Sequence, residues 1–122
     1  MIGSLMMCVS VVILSIGMLA GVVMGIEQNF ALQPAHAHLN LVGGVLLFLF
    51  GLYYRLFPAA GQSVLANIQG WLHIIGGILF PIGIAIVILK GDAYVAFPIV
   101  GSLIVIVATA LFAVIVFRTS KA

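Results

Sequence analysis

The chain has 122 residues, of which 66% are hydrophobic and only 5% are charged, and its net charge is +2. A soluble globular protein carries about 25% charged residues, so this composition excludes a water-soluble domain and predicts an integral membrane protein. The few Lys and Arg residues form no basic cluster, which excludes nucleic-acid binding as a function. The length predicts a single domain.

Four long apolar runs predict an all-α fold, a four-helix transmembrane bundle. Each run reaches the roughly 20 residues that a helix needs to cross a bilayer. The predicted helices cover residues 2–26, 34–57, 64–89 and 93–117. The first run has no basic residue before it and stays apolar for longer than a signal peptide does, so we expect it to be a retained transmembrane helix.

The few basic residues predict the orientation of the chain. With four spans, both termini lie on the same side of the membrane as the turn at residues 58–63. That side carries Arg55, Arg118 and Lys121, whereas the other side carries Lys90. Positive charge is enriched on the cytoplasmic side of membrane proteins. We therefore expect a bacterial-type inner (cytoplasmic) membrane protein with both termini in the cytoplasm and His36 near the outer face.

A glycine pattern in the first helix predicts close helix packing. Gly17, Gly21 and Gly25 stand four residues apart and share one face. Small residues at this spacing let the backbone of another helix approach closely. A homo-oligomer or a larger membrane complex is the expected partner.

Polar side chains gather at the start of the second helix, where His36, His38 and Asn40 lie within a hydrophobic run. Ionisable residues inside a membrane span are costly and indicate a functional site. The two histidines point about 200° apart on a regular helix, so both can face one metal ion only if this turn is extended. His36 shares a face with Asn40 and Gly43, and we expect Gly43 and Gly44 to leave room for a flat, bulky cofactor.

The third helix carries a second, weaker candidate site, because Gln69 and His73 are four residues apart and share a face. From the rise of 1.5 Å per residue, measured from the facing helix ends, His73 lies about 17 Å deeper than His36. One metal centre that uses both residues is therefore not expected. Histidines that serve only helix packing are the alternative.

Two groups of residues, at the start and the end of the second helix, match a known family: Leu32, Pro34 and His36, then Tyr53, Tyr54 and Pro58. The helix resembles the second transmembrane helix of the catalytic subunit of haem–copper oxidases and nitric oxide reductases, and the H-x-H segment of NnrS-type haem proteins. The resemblance implies that His36 is an axial ligand of haem b, with His38 as second choice. Trp71, Leu72, His73 and Gly76 resemble the next helix of the family.

The chain departs from that family at Gln33, which replaces an arginine beside the haem propionates. Four helices and three histidines are too few for a binuclear centre, so we expect no enzyme and assign no catalytic residue. The resemblance implies a small haem b protein for electron transfer, haem handling or the response to a diatomic gas. The alternatives are an accessory or assembly subunit of a membrane complex, and a copper or zinc site on His36 and His38, because imidazole suits both metals.

Overall fold

The computed structural model describes residues 1–121, which form four long helices joined by short turns. The helices are α1 (Ile2–Glu27), α2 (Gln33–Leu56), α3 (Val64–Lys90) and α4 (Ala96–Ser120). All four of these helices, within residues 1–121, are long and apolar enough to cross a membrane. The predicted all-α class with four transmembrane helices is therefore confirmed.

The helix ends follow from local chemistry. Pro34 lies in the first turn of α2, where its missing N–H costs nothing. The Ser63 hydroxyl caps α3 by accepting a hydrogen bond from the backbone N–H of Ala66 at 3.1 Å. Gly91 ends α3 with a φ of 100°, a conformation that glycine adopts without strain. These signals separate the four spans with turns of only a few residues.

The helices approach one another closely at glycines, and α3 contacts all three other helices. A Cβ atom on Gly51 of α2 would lie 2.7 Å from the carbonyl oxygen of Gly3 in α1. A Cβ atom on Gly83 of α3 would lie 2.6 Å from the backbone nitrogen of Pro98 in α4. Both distances are too short for a side chain, so only glycine permits these crossings.

The middle of α2 is not a regular α-helix. Residues Leu39–Leu46 form a π-helical segment between the α-helical residues Gln33–His38 and Leu47–Leu56. The sequence had predicted an uninterrupted α-helix. Because hydrogen bonds in a π segment run from residue i to i+5, each turn holds more residues, and the faces of the helix are rotated from their α-helical positions.

The two glycines of the π segment are in contact with neighbouring helices. A Cβ atom on Gly43 would lie 2.8 Å from the carbonyl oxygen of Gly77 in α3. A Cβ atom on Gly44 would lie 2.5 Å from the side chain of Leu14 in α1. The expected room for a flat cofactor at Gly43 and Gly44 is therefore taken by α3 and α1, and these glycines serve helix packing.

Aromatic side chains close the end of the bundle that holds the turn between α2 and α3. The rings of Phe50 in α2 and Phe112 in α4 are stacked with centroids 3.9 Å apart. Tyr54 lies against the same Phe112 ring and is 1% exposed. This end of the bundle is well packed, whereas the opposite end, near residues 27–33, contains a cavity.

Candidate functional site

All three histidines donate a ring N–H to a backbone carbonyl. The hydrogen bonds run from His36 Nε2 to the Gly17 oxygen at 2.7 Å, from His38 Nδ1 to the Pro34 oxygen at 2.7 Å, and from His73 Nε2 to the Val42 oxygen at 2.9 Å. A carbonyl oxygen only accepts, so these contacts fix which ring nitrogen carries the proton. In a neutral imidazole the other ring nitrogen carries no proton, and the surroundings of that nitrogen determine what it can bind.

His36 and Asn40 lie against the glycine face of α1. A Cβ atom on Gly17 would overlap Oδ1 of Asn40, and one on Gly21 would lie 3.1 Å from Nε2 of His36, whereas nothing lies within 4 Å of the same position on Gly25. The close approach predicted from the glycine spacing is therefore present at Gly17 and Gly21. Its partner is α2 of the same chain, so this part of the face is not available to a larger complex.

The Asn40 amide touches the same nitrogen of His36, with Nδ2 at 3.1 Å from Nε2, while Asn40 Oδ1 is buried with no hydrogen-bond partner among residues 1–121. The Nε2 proton already points to the carbonyl of Gly17, and an amide nitrogen cannot accept it. A half-turn of the amide exchanges its oxygen and nitrogen, and Oδ1 then shares this proton. Asn40 consequently holds the imidazole in place and does not compete for its other nitrogen.

A cavity of about 470 Å³ lies between α1, α2 and α3 at the end that carries residues 27–33. Its wall is mostly apolar and includes His36. The lining residues are Ala20, Val23, Met24, Glu27, Asn29, Ala31, Leu32, Ala35, His36, Leu39, Pro81, Ile82, Ala85 and Leu89. With Nε2 of His36 bonded to Gly17, Nδ1 is the ring nitrogen left for a ligand here.

A second cavity, of about 530 Å³, adjoins the first one along the helices. It lies between Cys8–Ile16 of α1 and Ile78–Ile82 of α3, and the two cavities share Leu39 and Ile82. Apart from Cys8, its lining residues are all aliphatic. The space beside His36 therefore continues into an apolar groove towards the middle of the bundle.

His38 contacts a different part of the bundle from His36. Its ring packs edge-on against Phe80 of α3, with centroids 4.9 Å apart, and its Nδ1 donates to Pro34 within its own helix. It is absent from the lining of the cavity that holds His36. The two histidines of the H-x-H motif therefore contact different neighbouring helices.

The second-tier residues Gln69 and His73 are both fully buried, at 0% exposure. The Tyr54 hydroxyl donates to Oε1 of Gln69 at 2.7 Å. His73 donates to Val42 in the π segment of α2 and packs edge-on against Phe50, with centroids 5.0 Å apart. These contacts tie α3 to α2 and form a row of polar groups inside the bundle, separate from the cavity at His36.

We expect Tyr54→Phe to lower the free energy of unfolding by about 0.5–1.5 kcal/mol, because it removes one buried hydrogen bond. The neighbouring substitution Tyr53→Phe is the control, because the Tyr53 hydroxyl has no hydrogen-bond partner in the described part of the chain. Chemical or thermal unfolding of both variants in detergent measures the difference. Equal losses in the two variants would contradict a specific role for the bond to Gln69.

Sequence reasoning missed Met24, Glu27 and Asn29, which line the cavity beside His36. Met24 had a signal, since it lies seven residues after Gly17 and residues i and i+7 share a helix face. Glu27 and Asn29 had none, because their position over the cavity depends on the path of the turn between α1 and α2.

The described residues, 1–121, include no group of three or more His, Cys, Asp or Glu side chains that is arranged to hold a metal ion. Comparisons of the chain with family models, curated proteins and solved structures find no match.

Proposed function

We propose that this chain binds haem b in the cavity beside His36 and serves electron transfer, haem handling or the response to a diatomic gas. One observation carries the proposal. The imidazole of His36 forms part of a largely apolar cavity wall and is fixed through Nε2, so that in the neutral ring Nδ1 carries no proton. A histidine in this state is a ready metal ligand.

The surroundings of His36 fit a haem iron. Metal-ligating histidines characteristically donate their other N–H to a carboxylate or a backbone carbonyl, which fixes the ring orientation, and Gly17 supplies such a carbonyl. The cavity volume of about 470 Å³ falls within the usual range of small-molecule sites, about 300–1,000 Å³. The adjoining apolar groove extends the space available to a large, flat ligand.

Met24 would be the second residue of the chain to hold the haem iron. It lines the same cavity as His36, whereas His38 does not. A methionine thioether paired with histidine is an established set of haem ligands. A symmetric homo-oligomer is the alternative source, because copies of His36 would lie at equal depth in the membrane.

A bound haem would supply reversible one-electron exchange or a binding position for a diatomic gas. The contribution of the chain would be to hold the imidazole against α1 and to surround the haem with mostly aliphatic side chains. Burial of this kind is one of the ways in which a protein sets the redox potential of a haem. The proposal includes no catalytic residue.

An absorption spectrum and a metal analysis of the protein, purified in detergent after expression with ample haem, test the proposal. We expect a Soret band with about one haem per chain, or per pair of chains if the second ligand comes from a partner copy. Copper or zinc without a Soret band would favour a metal site at His36 instead, without His38, which contacts a different helix. If the protein contains neither haem nor metal, an accessory subunit is favoured. Haem binding is contradicted by this result, and also by copper or zinc without a Soret band.

The proposed membrane orientation makes a separate prediction. Arg55, Arg118 and Lys121 lie on one side of the membrane and Lys90 on the other. Because positive charge is enriched on the cytoplasmic side, we expect a bacterial-type inner membrane protein with both termini in the cytoplasm. Of two reporters fused to the C-terminus, we expect activity from the one that functions in the cytoplasm and none from the one that functions in the periplasm. Activity of the periplasmic reporter alone would reverse the orientation and move His36 to the inner face.

A further inference from the structure

The interior of the bundle holds a polar site that haem binding does not use. Gln69 and His73 lie one turn apart on α3, about 8 and 14 Å from its start at the rise of 1.5 Å per residue. Both side chains are 0% exposed. Polar side chains at this depth of a membrane span are costly and need partners.

Each of the two side chains has one buried atom without a hydrogen-bond partner among residues 1–121: Nε2 of Gln69 and Nδ1 of His73. The amide nitrogen of Gln69 carries two protons and can only donate. Nδ1 of His73 carries none, because the ring proton is on Nε2, where it bonds to the carbonyl of Val42. One unpaired atom is therefore a donor and the other an acceptor.

Leaving both atoms unpaired is unfavourable, since a buried polar group without a partner costs about 1–3 kcal/mol. No direct hydrogen bond joins Gln69 and His73, although they are one helical turn apart. A molecule that accepts from one side and donates to the other satisfies both groups. Water is the smallest molecule that does so, and buried waters typically make about three such bonds.

We propose that Gln69 and His73 bind one internal water molecule within the bundle. The water accepts a hydrogen bond from Nε2 of Gln69 and donates one to Nδ1 of His73. Together with the observed bonds, this makes a continuous row from the Tyr54 hydroxyl through Gln69, the water and His73 to the carbonyl of Val42. Donors and acceptors alternate in one direction along the whole row, so one water molecule pairs both atoms once the side chains move apart to admit it.

The row ends on a carbonyl of the π segment, which gives the water a structural consequence. The bond from His73 to Val42 holds a helix segment whose backbone departs from α-helical geometry. The orientation of the His73 ring depends on the hydrogen-bond partner of its Nδ1. The proposed water therefore helps to hold the π segment, which contains Asn40 and begins directly after His38.

Solid-state NMR of the protein in lipid bilayers, with ¹⁵N-labelled histidine, tests the proposal. The three histidine signals are assigned with His36→Gln, His38→Gln and His73→Gln variants. We expect magnetisation from water protons to reach Nδ1 of His73 in the wild-type protein, although the side chain is fully buried. The half-buried His38 provides the positive control for water contact.

Two further samples make the test specific. Gln69→Met removes the donor at similar side-chain volume, and we expect the transfer to Nδ1 of His73 to be lost. Tyr54→Phe leaves Nε2 of Gln69 intact, and we expect the transfer to persist. No transfer in the wild-type protein beside a clear signal from His38 would overturn the proposal, and so would a ¹⁵N shift that shows a direct amide bond from Gln69.

Discussion

Gly17→Ala is expected to lower the free energy of unfolding by about 1–3 kcal/mol, the usual cost of overpacking a well-packed interior. The added Cβ atom overlaps the amide of Asn40. It also pushes away the side chains that hold His36 against α1. Since alanine is the better helix former by about 1 kcal/mol, any loss of stability comes from the contact with α2 and not from the helix itself.

The neighbouring glycines provide matched controls on the same face of the same helix. For Gly21→Ala, the Cβ atom would lie 3.1 Å from His36 Nε2, so we expect a smaller loss. For Gly25→Ala, nothing lies within 4 Å, so we expect unchanged or slightly raised stability. Unfolding of the three variants in detergent gives the order. A loss at Gly25 as large as that at Gly17 would mean that the glycine face meets another chain.

The glycine spacing shows how much of the fold can be predicted from the sequence. Composition and four apolar runs suffice for the class, because only helices or closed barrels satisfy their backbone groups in lipid. The period of four residues correctly indicates a contact face on α1. It carries no information on which helix covers that face, so the partner was expected to be another chain, whereas α2 covers Gly17 and Gly21.

The π segment was beyond sequence reasoning. Leu39–Leu46 is an apolar run with two glycines and has no proline, so it reads as ordinary transmembrane helix. Its geometry depends on contacts with α1 and α3, including the hydrogen bond from His73 to Val42. For the same reason, the packing of Gly43 and Gly44 against Gly77 and Leu14 could not be deduced from helical periodicity alone.

The candidate site was predictable in part. Helical periodicity placed His36 and His38 on different faces, and in the structure they contact different helices. The backbone acceptors of the three histidines have no sequence signal, because every residue carries a carbonyl. The cavity wall, with Met24 and Glu27 from α1, arises where three helices diverge. Such non-local geometry appears only in the folded chain.

His36→Ala is expected to abolish haem absorption, or to shift it strongly, because the substitution removes the proposed axial nitrogen. His38→Ala should do less, since His38 lies outside the cavity lining and bonds within its own helix. His73→Ala should do least, because its ring contacts Val42 and Phe50 in the packed interior. Met24→Leu keeps the volume and removes the thioether, so we expect a spectral shift with the haem retained.

The most direct test of the account is to record haem spectra of the wild-type protein and the three histidine variants side by side, after purification and reconstitution with equal amounts of haem. In the wild-type protein we expect a Soret band whose intensity corresponds to the bound haem. We expect this band to be lost or strongly shifted in His36→Ala, and to stay close to the wild-type position in His38→Ala and His73→Ala. Loss of the band in His73→Ala with retention in His36→Ala would contradict a haem site at His36, and would move the site to the buried row beside Gln69.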